Sequence, residues 1–515
     1  METAYPVVAP ARTLLGHPRG LFMLFFAEMW ERFSFYGMRA LLIFYLTQHL
    51  LFGDADAAGI YASYGALVYL TPVIGGLIAD RYLGFRRAVI LGAALLCVGH
   101  FGMALEGSPA RFFDGEVVRD ASSLQTFYLS LAFIIVGVGF LKPSISSIVG
   151  QLYGENDTRR DAGFTIFYMG INLGAMTSSL VCGYLGQRYG WAWGFGLAGV
   201  GMLIGLITFV RGRELLEGAG EPPSPAALTA PGPFGVNRRV VLIAGTAIAI
   251  ATAWALMQHR DVVAGLLTGS AAAAVGGIVW FSFMRCSLVE RHRMFVVLLL
   301  IAISVVFWSL FEQAGSSLNL FTERNVDRHI AGFDVEASQF QSLNPAFIIL
   351  LAPCFSWLWV KLGAAGREPS TPAKFGLGVL QVGLGFAVLV YGASRADAGG
   401  IVHPGWLALA YMLHTTGELC LSPVGLSMVT RLSVARVVGL MMGVWFLSSS
   451  FSHYVAGIIA AAASVSSEPG DAIDAVASLN VYVETFVLLA EVAVVVGLVV
   501  IALSPLIRRW MHEEA

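Results

Sequence analysis

Glu28, Glu31, Arg32 and Arg39 stand inside "AEMWERFSFYGMR", residues 27–39, in the middle of a run from Leu21 to Leu46 whose other residues are almost all suited to lipid. An ionised side chain near the centre of a bilayer costs roughly 2.5–3.5 kcal/mol even on the mildest insertion scale. Two acids and two bases on three helical turns exceed what helix association needs, and they can hold ions and exchange protons. On a helix, Arg39, Arg32 and Phe35 fall close to the direction of Glu28, with Glu31 to one side of it and Tyr36 to the other. The charges and Tyr36 thus share a face about 140° wide that cannot meet lipid.

Matching groups recur along the chain. "FWSLFEQAGSSLNLF" (307–321) carries Glu312, with Asn319 seven residues on and expected on the same helix face. "TTGELCLSPVGLS" (415–427) carries Glu418 with Ser422 one turn later, and "GVGFLKPS" (137–144) carries Lys142 before a proline. That last motif is no phosphate loop, since no strand precedes it. Pro143, Pro345 and Pro423 are expected to free backbone groups and bend their helices around a cavity. Glu28, Glu31, Glu312 and Glu418 against Arg32, Arg39 and Lys142 leave one surplus carboxylate, which gains stability in a low-dielectric cleft by taking a proton. Tyr36, Tyr69, Tyr168, Asn172, Asn344, Trp445 and Ser449 add hydroxyl, amide and indole groups suited to a polar organic guest. No metal-ligand spacing, cofactor fingerprint or nucleophile elbow is present, which argues against an enzyme, and no nucleic-acid partner is expected.

The elements that must position these groups are membrane helices. Of 515 residues, 57% are hydrophobic and 12% charged, and the mean hydropathy is +0.74, a balance that a water-soluble domain could not hide in one core. The five cysteines are read as packing residues, and residues 1–20 lack the pattern of a cleaved leader. Apolar runs give about fourteen spans, among them 21–47, 294–316, 338–360 and 404–429, without the alternation of a barrel. With the N-terminus inside, 21 Lys/Arg fall in inside segments and 7 outside, namely Arg111, Arg119, Arg188, Arg260, Arg324, Arg328 and Arg395. That bias predicts a multi-pass protein of the cell inner membrane with both termini cytoplasmic.

A Pro/Gly/Ala-rich linker, 211–238, divides the chain, followed by a helix pair, 239–284, which after its leading Arg239 carries charge only at its Arg260–Asp261 tip. Setting that pair aside as peripheral leaves six helices in 1–210 and six in 285–515. "LKPSISSIVGQL" (141–152) and "LSPVGLSMVTRL" (421–432) share five of twelve positions at the fourth helix of each half. Two six-helix bundles, an inserted pair and a midplane site between the halves make the all-α plan of the major facilitator transporters.

"EMWERFSFYGMR" resembles the first-helix signature of the proton-dependent oligopeptide transporter family within that superfamily. Further similarities lie in "GGLIADRYLGFRR" (75–87), "GVGFLKPSISS" (137–147), "FTIFYMGINLGA" (164–175), "FEQAGSSLNLF" (311–321), "LNPAFI" (343–348) and "GELCLSPVGLSMV" (417–429). The resemblance implies fourteen helices, a bacterial member and proton-driven uptake of di- and tripeptides. By motif position it implies that Glu28, Glu31 and Arg32 couple protons. It further implies that Arg39 pairs with Glu312 towards the outside, and that Lys142 and Glu418 lie on the inner side of the site. The peptide amine falls to Asn172, Asn344 and Glu418 and its carboxylate to Arg32 and Lys142, with Tyr36, Tyr69, Tyr168, Trp445 and Ser449 lining pockets. The family pattern ends in two adjacent tyrosines, and here the first is Phe35. A same-fold carrier of nitrate, a drug or another polar solute is the competing reading. One chain suffices for this architecture, and Glu484 and Glu491 have no assigned role.

Overall fold

The computed structural model describes residues 13–154, 156–222, 236–465 and 473–512. Twelve of its helices are long and apolar enough to cross a membrane. Two more, α1 (Arg19–Phe44) and α13 (Pro404–Leu432), have 26 and 29 residues and carry the charged motifs. The N-terminal bundle is completed by α2 (Asp54–Ile78), α3 (Phe85–Met103), α4 (Ala121–Gln151), α5 (Arg160–Tyr189) and α6 (Trp191–Gly212). After the pair α7 (Arg238–Met257) and α8 (Arg260–Arg285) comes the C-terminal bundle. It comprises α9 (Leu288–Phe311), α10 (Ser317–Asn325), α11 (Leu343–Ala364), α12 (Thr371–Ala393), α13, α14 (Val438–Ala462) and α15 (Ala475–Met511). Three two-stranded hairpins and a parallel bridge between Val326 and Val402 provide extended structure among the described residues.

Helix ends follow local chemistry. Asp54 and Asp56 stand in the first turn of α2, where carboxylates suit the helix dipole. Asp120 caps α4 by accepting from the Ser123 hydroxyl and backbone N–H and from the Ser122 hydroxyl, which together hold its carboxyl below the usual range. Ser287 and Glu290 form a reciprocal capping box on α9. Within the N-terminal bundle α1 packs on α5 and α6, and within the C-terminal bundle α12 packs on α13 and α15. Between bundles, α2 meets α14 and α5 meets α11. Close approach needs glycine: a Cβ on Gly174 of α5 would collide with the Met29 carbonyl of α1. Helices α7 and α8 are only 11% and 17% buried in their apolar windows. They sit outside both bundles, α7 on α4 and α8 on α14 and α9.

Two expectations about local shape fail. The helix carrying Glu312 stops at Phe311, passes through a 3-10 turn at Glu312–Gly315 and restarts at Ser317. Glu312 and Asn319 therefore share no continuous face. Ser316, at φ −129° and ψ −99°, supplies the kink. Pro345 occupies the first turn of α11, where a missing N–H is harmless, and breaks nothing. Pro143 lies inside an uninterrupted α4, with Ser144, Ser146 and Ser147 hydroxyls donating to carbonyls one turn back. The Pro423 side chain lies outside the described residues, as do linker residues 223–235.

Candidate functional site

The α1 charges fold onto one another. Arg32 Nε donates to Oε1 of Glu28 at 2.9 Å and stands 2.5 Å from Oε2 of Glu31, a contact that is an ion pair without hydrogen-bond alignment. The three side chains are nearly sealed: Glu28 is 2%, Glu31 0% and Arg32 5% exposed. Glu28 Oε2, Glu31 Oε1 and Arg32 Nη2 nonetheless have no hydrogen-bond partner among the described residues. Unsatisfied groups of this kind mark a place where a proton or polar guest can gain much. The Phe35 ring lies 5.8 Å from the Arg32 guanidinium carbon, so the cation keeps an aromatic neighbour where the family tyrosine is absent.

Two turns further along α1, Arg39 reaches the other bundle. Its Nη2 forms an ion pair with Glu312, and its Nε donates to the Tyr61 hydroxyl of α2 at 2.6 Å. The kink after α9 makes this possible by turning Glu312 towards α1. Gly315 closes the turn so tightly that a Cβ there would overlap the Tyr61 oxygen.

Glu418 accepts from Asn344 Nδ2 at 3.1 Å, and the same amide nitrogen donates to Thr415 at 3.1 Å. Lys142 takes no carboxylate within ion-pair distance among the described residues. Its Nζ rests 4.1 Å above the Tyr69 ring. Lys142 and Glu418 thus do not pair with each other in this structure. Asn172 donates to the Tyr168 carbonyl of its own helix, and Tyr168 is 39% exposed.

Two cavities lie between the bundles, and each takes walls from both. One of about 260 Å³ is lined by Tyr69 from the first bundle and by Trp308, Glu312, Ser422, Trp445, Ser449 and His453 from the second. The other, about 50 Å³, is lined by Tyr36, Arg39 and Ser179 with Gln341, Asn344, Tyr411 and His414. Arg39 faces one and Glu312 the other, so their ion pair partitions the cleft. Of the expected site residues, Glu28, Glu31, Arg32, Lys142, Tyr168, Asn172 and Glu418 line neither. The larger cavity approaches the lower end of the roughly 300–1,000 Å³ typical of small-molecule sites.

Several groups here escaped sequence reasoning. His453 faces Glu312, with Nδ1 3.7 Å from Oε2. Arg324 of α10 donates twice to Asp54 of α2, at 2.6 and 2.8 Å, and once to Tyr482 at 3.0 Å. Gln187 of α5 accepts from the Ser338 backbone and hydroxyl at 3.0 and 2.5 Å. These bonds, with Arg39–Glu312 and a bond from Asn319 to the Ala40 carbonyl at 3.3 Å, seal the cleft at the end holding residues 49–54, 187 and 324–338. Asp54 and Arg324 stood in stretches read as loops, where charge is ordinary. His453 could have been flagged as a titratable group inside the apolar run 438–463. Glu484 and Glu491 are exposed on α15, and nothing in the structure gives them a role.

Two helical bundles enclosing a charged cleft, with an inserted pair outside them, define a secondary transporter of the major facilitator fold. The comparison with known proteins narrows this. Residues 86–476 match the model of the POT family, and the chain belongs to that family. It is 39% identical over 471 residues to the peptide transporter YePEPT of Yersinia enterocolitica, covering 87% of this chain and 88% of that protein. It is 34% identical to dipeptide and tripeptide permease A of Erwinia pyrifoliae, covering 96% of each. A solved peptide transporter POT in complex with alafosfalin superposes with a TM-score of 0.81 at 37% identity, covering 98% of both chains.

Proposed function

We propose that this protein imports di- and tripeptides together with protons by alternating access, from the cell inner membrane and with both termini in the cytoplasm. What supports the reading is the cleft between the bundles, with Lys142 resting on the Tyr69 ring that lines one cavity and Glu418, on the opposite bundle, bonded to the Asn344 that lines the other. A peptide ammonium suits the Glu418–Asn344 pair and a peptide carboxylate suits Lys142. Tyr36, Tyr69, Trp445 and Ser449 shape the space between, so the fixed termini set peptide length and the side chains meet loose pockets. Arg32 is held by two carboxylates, which suits it to sense their protonation: a proton on Glu28 or Glu31 frees the guanidinium for a substrate anion. On this orientation the sealed end is the outer one, and the arrangement is inward-facing. Proton and peptide each bind the two states unequally, and that inequality is the coupling. One chain carries the whole site.

The reading is tested by dialanine uptake into proteoliposomes under an inward acid gradient. Accumulation that follows the gradient and falls about tenfold or more in Glu31→Gln and Lys142→Ala is expected for buried charges of this kind. Accumulation without a gradient, or transport of nitrate in place of dialanine, counts against it.

A further inference from the structure

The contact between α2 and α14 joins the bundles, and at its middle stands a histidine that the charge set of the proposed cycle leaves out. His453 is 6% exposed. Its ring lies against Gly65 so closely that a Cβ there would sit 2.8 Å from Nδ1. Its centroid is 4.6 Å from that of Tyr69, the ring on which Lys142 rests. Its Nδ1 faces Glu312 at 3.7 Å, and Glu312 is the carboxylate that holds Arg39.

The ionisable groups around it come from every neighbouring element that has one to offer. Glu312 follows α9, Tyr69 is on α2, and Arg39 on α1 and Lys142 on α4 stand farther off. Helix α8, on the far side of α14, brings Ala271, Ala274 and Val275, and α13 brings Leu421 and Ser422. Glu312 thus stands between a permanent cation, Arg39, and an imidazole that can take up or release a proton.

We propose that His453 is a proton-binding residue of the transport cycle that competes with Arg39 for Glu312. This rests on the reading of the chain as a proton-coupled peptide carrier. With the outer end open, a proton from outside water binds the imidazole, and the imidazolium pairs with Glu312 while Arg39 is disengaged. When the outer end closes, Arg39 takes Glu312, as in the present structure. The imidazolium then shares Glu312 with Arg39 and has Lys142 as a second cation farther off, and the proton leaves through the cavity to the water of the inner side. A peptide carboxylate beside Lys142 offsets one of those cations, so substrate and proton favour each other's binding.

The experiment compares wild type with His453→Gln and His453→Asn in proteoliposomes. Two rates are measured between pH 5 and pH 8: dialanine counterflow without a gradient, and uptake driven by an inward acid gradient. Their ratio corrects for folding and for any change in binding. The ratio is expected to fall about tenfold or more, within the usual range of coupling between sites, and the acid dependence of uptake to flatten. A ratio and pH profile superimposable on wild type overturn the assignment. Loss of counterflow in both variants overturns it as well, since the ring then serves structure and not a proton. Wild type failing to exchange dialanine at all rejects the peptide-carrier reading itself.

Discussion

Asn344 is the hydrogen-bonding partner of Glu418 among the described residues, and Glu418 is 8% exposed. Hydrogen bonds to charged groups contribute about 1.5–3 kcal/mol, and a buried carboxylate left without a donor bears that cost in full. If Glu418 takes the peptide amine, Asn344→Ala raises the KM for dialanine about tenfold or more, and Thr415→Val, which removes the second partner of the amide, has a smaller effect. The concentration dependence of uptake reads both, and an unchanged KM in Asn344→Ala removes the amine subsite from this place. The α1 charges were legible because charge inside an apolar run needs a reason. Tyr61 was not, since a tyrosine in a membrane helix is ordinary until its partner is known, and its partner is Arg39 on a different helix.

Apolar runs located the spans and the helices of the inserted pair, but helical spacing treats "FEQAGSSLNLF" as part of one continuous helix. Nothing in those residue types forbids a helix. The break comes from contacts made after folding: Gln313 donates to the Ala456 carbonyl of α14 at 3.0 Å and accepts from Ser317, and Gly315 lies against Tyr61. This kink is what aims Glu312 at Arg39. Gly315→Ala is therefore expected to push Tyr61 and Arg39 away from the turn. Overpacking typically costs about 1–3 kcal/mol, and here the sealed arrangement bears the cost. The melting temperature should fall, and a thiol placed on the wall of the cleft should react faster with a reagent added from outside. A melting curve and labelling rate equal to wild type contradict this account of the turn.

Hydropathy reports which segments cross a membrane and cannot report which end of the cleft is closed, because closure depends on pairs far apart in sequence. Asp54 and Arg324 are 270 positions apart, and their side chains are only 7% and 13% exposed. The carboxylate also accepts from the Val465 backbone N–H at 3.1 Å. Removing one member of a buried pair costs about 3–5 kcal/mol, chiefly because the other charge stays behind without compensation. That cost falls on the sealed state, since separation of the bundles returns Arg324 to water. About 5.5 kcal/mol carries a two-state equilibrium from 99:1 to 1:99, and about half of that makes the states equal. Asp54→Asn should therefore move a protein that rests sealed at this end to one that populates both arrangements. Spin labels at Phe113 and Phe333, on exposed hairpins of the two bundles, in a background without the five cysteines, should report a second, longer distance in the variant. The exchange Asp54→Arg with Arg324→Asp should restore the single short distance if the pair acts as a latch. A wild-type distance distribution in Asp54→Asn would assign the closure to Arg39–Glu312 and Gln187–Ser338 alone.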